Sequence, residues 1–243
     1  MRLLLAKGTP PWATILRTGN GEPAYKIKEI DSSSLTGGST TAIYKIPLGQ
    51  GVRVEPDQSQ YMAFFLPIIR AKQLTNLTDL VYAFNNSIAS TKRMPNLTIA
   101  ELATVKIRLL HSDEYTVSGQ FIKVDNFYKK EGLGRWYGRD RIWTGPDGIR
   151  YRWKIKDTKP ELYLNDGDKR LVAKFHREHS GFFSTREACP ASLEFFGQPT
   201  PELIDMIVIT FVHLEKRRAE DEEFEKEMLK ESLKEGLKEG LSG

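Results

Sequence analysis

Hydrophobic and polar residues alternate in short runs along most of the first two hundred positions. ATILRT (13–18) leads into Gly19-Asn20-Gly21, and PAYKIKEI (23–30) and TTAIYKIPL (40–48) follow. Alternation at period two sends one set of side chains to a core and the other to water, so each run predicts a half-buried strand. Asn20-Gly21 predicts a hairpin, because both central residues of a type I′ turn need positive φ. The series continues with ELATVKIRLL (101–110), YTVSGQFIKV (115–124), DRIWTG (140–145), IRYRWKIK (149–156), ELYLND (161–166) and RLVAKFHRE (170–178). Pro146-Asp147-Gly148 and Asn165-Asp166-Gly167 supply turns. A meander with this spacing predicts a mainly β fold, either barrel or sandwich.

Two segments depart from the rhythm. In an insert at about 68–97, Leu77, Leu80, Val81 and Phe84 fall near helical spacing, which predicts a short surface helix between strands. The segment 199–218 is more strongly helical. Thr200 suits the cap, Pro201 the first helical position, and Glu202 the positive end of the dipole, while Lys216 to Arg218 suit the other end.

Between Leu203 and Leu214 only Asp205, Thr210 and His213 are polar, and a helix apolar all round must be surrounded. Twelve residues rise only about 18 Å, too short for a bilayer, so the surroundings are protein and no transmembrane segment is expected. The expectation is a closed antiparallel β-barrel threaded by a hydrophobic helix at about 201–216; a helix sandwiched between a sheet and its own loops is the alternative. Residues 1–216 then form one domain. Residues 217–243 form a charged, helical or disordered tail in which Leu229, Leu233, Leu237 and Leu241 repeat every four residues. Glu/Lys pairs support a helix there and Gly236 and Gly240 weaken it, so the tail is read as fraying, with weak self-association or partner binding as the other reading.

Composition narrows the setting. The chain has 243 residues, 40% of them hydrophobic, enough for a sizeable core in one domain. A single cysteine, Cys189, excludes an internal disulfide framework and points to a reducing compartment, the cytoplasm or the nucleus. MRLLLAKG falls short of a signal peptide's apolar stretch, and the sequons at Asn76, Asn85 and Asn96 then read as chance matches.

The formal charge of +4 is unevenly placed. Residues 215–243 hold ten acidic and seven basic side chains, a net of −3, which leaves +7 for the rest. Residues 122–156 alone carry ten Lys/Arg against Asp125, Glu131, Asp140 and Asp147, a net of +6. Within that stretch Arg150, Arg152, Lys154 and Lys156 share one face of a strand while Tyr151, Trp153 and Ile155 share the other. With Lys129, Lys130, Arg135, Arg139 and Arg141 they form a candidate patch for anions: phosphoinositide headgroups, an anionic membrane surface or nucleic acid. The competing reading is the wet face of a strand, with basic stems packed on the barrel and acidic neighbours across from them.

No catalytic, cofactor or metal site emerges. His176 and His179 point to opposite faces of a strand, Cys189 lacks a nucleophile's context, and no P-loop, nucleophile elbow, HExxH or dinucleotide fingerprint occurs. Asp205, a carboxylate on the helix that must be enclosed, is read as a structural anchor, bonded to loop amides or to an inward Arg. Thr210 is expected to bond back to its own helix.

The pattern Asp147-Gly148-x-x-Tyr151-x-Trp153-Lys154, followed by PELYL at 160–164, VAKF at 172–175 and IDMIVITFV at 204–212, resembles an uncharacterised domain family of basidiomycete fungi. The resemblance spans residues 1 to about 216, outside the insert and the tail. It implies the architecture of the tubby C-terminal, LURP-one and scramblase group, a closed barrel around a hydrophobic helix. Tubby domains bind phosphoinositides through Lys and Arg, but no residue-level match to that site is found here, and the family brings no established catalytic residues. The expected function is therefore a non-enzymatic binding module for an anionic ligand, or else a protein-interaction scaffold acting through the insert or the LKEG tail.

Overall fold

The structure is a computed structural model that describes residues 1–33, 38–47, 99–108, 111–117, 119–132, 140–156, 159–179 and 189–241. The expected helix of the 68–97 insert and the patch residues Arg135 and Arg139 lie outside the described residues.

The chain folds as β1 (Arg2–Leu5), β2 (Thr14–Thr18), β3 (Pro23–Ser33), β4 (Gly38–Lys45), β5 (Ala100–Arg108), β6 (Glu114–Val117), β7 (Gln120–Lys123), α1 (Val124–Phe127), β8 (Lys129–Glu131), β9 (Asp140–Thr144), β10 (Arg150–Lys156), β11 (Lys159–Leu164), β12 (Leu171–His176), β13 (Ser192–Phe195) and α2 (Pro201–Leu241). The thirteen strands among the described residues belong to one antiparallel sheet, in the order β7-β6-β5-β4-β3-β2-β1-β13-β12-β11-β10-β9-β8. Two meanders therefore meet where β1 pairs with β13. Glycine supplies the turns where positive φ is required: Gly21 (φ 83°) closes β2 onto β3, and Gly148 (φ 77°) closes β9 onto β10.

The two ends of this ladder are neighbours in sequence. Laid flat, thirteen strands would separate β7 from β8 by about 58 Å at ~4.8 Å per step. The chain from Lys123 to Lys129 can span at most about 21 Å. The sheet must therefore roll up until its edges face each other across α1. Among the described residues no ladder joins β7 to β8, so the roll differs from the expected hydrogen-bond-closed barrel at this seam. Aromatic packing fills it instead. Phe127 of α1 meets Tyr115 of β6 edge-on, with ring centroids 5.4 Å apart, and stacks on Trp143 of β9 at 5.7 Å, so one ring spans both edges.

Inward positions alternate as expected: Leu3 and Leu5, Tyr25 and Ile27, Val105 and Ile107, Tyr151 and Trp153, Leu193 and Phe195 all enter one core. At its centre lies α2, where every side chain from Ile207 to His213 is fully buried. Strands from both halves of the ladder touch this helix: Tyr115 of β6 bonds His213, Trp153 Nε1 of β10 donates to Thr210 (3.1 Å), and Phe175 of β12 packs on Phe211. Thr200 caps the helix through Leu203 N–H (3.3 Å), and Thr210 bonds back to Met206 O (2.8 Å).

The tail, read as helical or disordered, continues the enclosed helix without a break to Leu241. Apolar composition ends near residue 216, but helical propensity does not. From Ala219 to Glu235 the residues are nearly all strong helix formers, with no Gly or Pro to break the run. Arg217 pairs with Asp221 (3.3 Å) and Arg218 with Glu222 across the boundary, carrying one half into the other.

Candidate functional site

β10 divides as its alternation requires. Tyr151 and Trp153 are buried, and Ile155 packs partly buried against the core. Among the described residues of the outer face, three of the expected cations, Arg152, Lys129 and Lys130, are matched by carboxylates. The Arg152 guanidinium donates from Nε to Asn165 Oδ1 (2.9 Å), from one terminal nitrogen to Asp140 (3.0 Å) and from the other to Glu131 (2.8 Å). Lys129 pairs with Glu131 (2.9 Å) and Lys130 with Asp125 (2.6 Å). The Lys129 hydrogen bond and the nearby charges of Lys129 and Arg152 hold the Glu131 carboxyl below its usual range. Lys154 sits across from Glu161, with its ammonium 5.0 Å from the Tyr163 ring centre.

Arg150 is exposed. Lys156 belongs to β10, but its side chain lies outside the described residues. Arg141 corrects the expected patch: it is fully buried on the inner face of β9, beside Trp143 two residues on, and opposite Trp153 in the ladder. The acids Asp125, Glu131 and Asp140 of this region are thus all engaged in ion pairs with Lys129, Lys130 and Arg152. Further pairs are Lys174–Glu161 (2.8 Å) and Arg2–Glu194 (2.9 Å), with His176 on the same Glu194 (2.8 Å).

Polar groups on the enclosed helix are matched from the sheet. Asp205 accepts from Tyr25 Oη (2.6 Å) and Lys45 Nζ (2.6 Å), in place of the loop amides or arginine expected. Burial, then the Asp205 charge, pushes the Tyr25 phenol well above its ordinary value.

His213 lies in a sealed chain: its Nε2 is 2.9 Å from Asp113 Oδ2, its Nδ1 2.7 Å from Tyr115 Oη, and that oxygen 2.9 Å from Tyr128 Oη. With Nε2–H donating to Asp113, Nδ1 accepts from Tyr115, which accepts from Tyr128. Burial drives both phenols upward in pKa and keeps them protonated. An Asp–His–Tyr chain invites a catalytic reading, but each of its side chains is at most 6% exposed, so a substrate has no access. Its role is to satisfy polar groups inside the roll. Nothing local in the sequence pairs Asp113 with His213, which are 100 positions apart.

A cavity of about 360 Å³ lies at the N-terminal end of α2, lined by Leu164, Val172, Leu203, Arg170, Asp147 and Tyr151 among others. Asp147 already accepts from Tyr151 Oη (2.5 Å) and Ile149 N–H (3.0 Å); among the described residues no Ser, Cys, Lys or His lines the space, and its one aliphatic hydroxyl, Thr200, caps α2. The arrangement offers a binding recess without an activated nucleophile. Among the described residues no three His, Cys, Asp or Glu side chains gather as metal ligands would, and no helix is long and apolar enough to cross a membrane.

The remaining feature is the outer half of α2. Phe224, Met228, Leu229 and Leu233 are 57%, 52%, 63% and 60% exposed, on a helix whose first half cannot move without opening the core. Ser39 Oγ donates to Glu220 (2.7 Å) where the helix leaves the sheet.

Fold and surface together define a mainly β domain of one rolled antiparallel sheet, whose enclosed helix runs out of it as an exposed arm. The chain belongs to the family of unknown function DUF6593, whose family model matches residues 9–220. No curated protein and no solved structure matches it. The exposed side chains at 224–233 lie beyond the matched span.

Proposed function

We propose that the protein is a non-enzymatic interaction scaffold whose contact surface is the outer half of α2. The observation that carries this reading is the exposure of Phe224, Met228, Leu229 and Leu233, large apolar side chains left in water along an anchored helix. Anchoring matters because a preformed helix loses less conformational freedom on binding. The test is a photo-crosslinking residue at Ser232 of the full chain in cells. Adducts that vanish on Leu229→Glu plus Leu233→Glu are expected, and no arm-dependent adduct of any kind overturns the reading.

A second reading keeps the anionic ligand. It is favoured by Arg150, exposed at the start of β10 beside Ile149, itself 47% exposed, a cation next to an apolar side chain as at a membrane surface. Flotation with phosphoinositide-containing liposomes tests it, and binding unchanged by Arg150→Glu plus Arg152→Glu removes it. Within the same proposal the roll is a variant of the tubby-like barrel, the domain is the fungal one its motifs resemble, and its setting is a reducing compartment. The order of those motifs, the enclosed helix and the single cysteine support this.

A further inference from the structure

We infer that the recess at the N-terminal end of α2, the end away from the arm, binds a small apolar molecule carrying a single carboxylate, which Arg170 holds.

The buried part of the lining is apolar. Val172 and Leu203 are at most 8% exposed, and Leu164 lies beside them. A volume of about 360 Å³ falls among those of small-molecule pockets, and at roughly 30 Å³ per heavy atom it admits about twelve. Phe196 also lines the space and stays 39% exposed, which leaves an aromatic ring for an apolar ligand to cover.

A β-bulge turns Arg170 toward this space. Leu162 pairs with Ala173 but Tyr163 pairs with Leu171, so Val172 is the extra residue. Lys174 faces outward, paired with Glu161, and unbroken alternation would put Val172 and Arg170 on that outer face with it. The bulge shifts the alternation by one: Val172 is buried and Arg170 joins the lining. Leu164 N–H donates to Arg170 O (2.9 Å), which fixes the arginine's backbone beside Leu164. Among the described residues Arg150 and Arg170 are the two arginines whose side chains make no ion pair or hydrogen bond.

The rest of the lining limits the charge of the ligand. Asp147 is occupied by Tyr151 Oη and Ile149 N–H. Gly145 permits that closure, since a Cβ there would lie 2.6 Å from the Tyr151 ring and 2.7 Å from Asp147 Oδ1. With one arginine and one acid present, a single carboxylate meets a guanidinium fork of matching geometry, whereas the second charge of a phosphate monoester would find no cation. At the helix end the N–H groups of Leu203 and Ile204 are taken by Thr200 and Pro201 has none. That end therefore adds the favourable sign of its dipole, and Arg170 supplies the donors.

The experiment titrates sodium octanoate into the full chain and follows the leucine and valine methyl resonances. Saturable binding with Kd between about 0.1 and 1 mM is expected, with shifts at Leu164, Val172 and Leu203. Octan-1-ol, which lacks the charge, and acetate, which lacks the chain, should each bind at least about tenfold more weakly. Arg170→Gln should weaken octanoate by about tenfold and erase its advantage over octanol. Arg150→Gln removes the same charge from the outer face of β10 and should leave Kd within about twofold. Both arginines are exposed, so neither variant disturbs the core. No saturation by about 10 mM, shifts confined to the exposed Leu229 and Leu233, octanol binding as tightly as octanoate, or equal losses in the two arginine variants would each overturn the inference.

Discussion

One helix sits in two solvents. From Leu203 to Arg218 α2 is enclosed by strands, and from Glu223 to Lys234 its side chains, Glu225 apart, stand in water. The enclosed half is the poorer helix former, since Ile204, Ile207, Val208, Ile209, Thr210 and Val212 are all β-branched. It is helical because the roll has no free strand edge inside and a helix satisfies its own backbone. The outer half has little to pack on and is helical because Glu, Lys, Leu and Met favour that state locally. Tertiary packing holds one half, and propensity holds the other.

The largest break in that contrast comes from emptying the enclosed side. Phe211→Ala removes a fully buried ring that packs on Phe175, and should cost about 3–5 kcal/mol in urea denaturation. Leu233→Ala on the outer half should stay within about 0.5 kcal/mol. Equal costs would mean that the two halves do not differ as described.

Alkaline pH attacks the same half. Tyr25, Tyr115 and Tyr128 have phenols raised above their ordinary value of 10.0, chiefly by burial. The unfolded chain then loses these protons first. The stability they confer is complete below about pH 10 and is lost as pH rises from there toward the folded values. The urea midpoint should fall steadily above pH 10, and Tyr25→Phe should make the fall shallower. A midpoint flat to pH 11 would show that these phenols reach water in the folded state.

Much of this half was legible in the sequence. Period-two alternation assigns Tyr151 and Trp153 to the core, and an all-apolar helix too short for a bilayer requires enclosure by protein. The same alternation carried a signal about Arg141 that was not used: it shares a face with Trp143, so an inward tryptophan brings the arginine inward. Other features depend on register that no local pattern holds. Arg152 finds Glu131 21 positions upstream, and Asp205 finds Tyr25 at 180. The seam escaped because VDNF, the single turn of α1, lies at the end of an apolar run that reads as strand. The arm's continuity with the enclosed helix was masked by the change in composition at 217, which alters the solvent but not the propensity.

A smaller effect separates structural anchoring from function at Asp205. Asp205→Ala strands the buried Tyr25 hydroxyl and removes the partner of the partly exposed Lys45 ammonium, and should cost about 1–3 kcal/mol. Tyr25→Phe in the same background should recover part of it, because the phenol then no longer needs a partner. A double variant no more stable than Asp205→Ala alone would assign the cost to Lys45 instead.

The smallest effect tests whether the halves are independent. Gly236 and Gly240 lie within the helical span of α2, where each weakens the local helix by roughly 1 kcal/mol relative to alanine. Replacing both by alanine should slow amide exchange across the last two turns and raise the helical signal slightly. The global urea midpoint should not move, because fraying of an exposed end does not involve the core. If the midpoint rises with the exchange protection, the arm and the enclosed helix unfold as one unit, and the contrast between packing and propensity fails at its boundary.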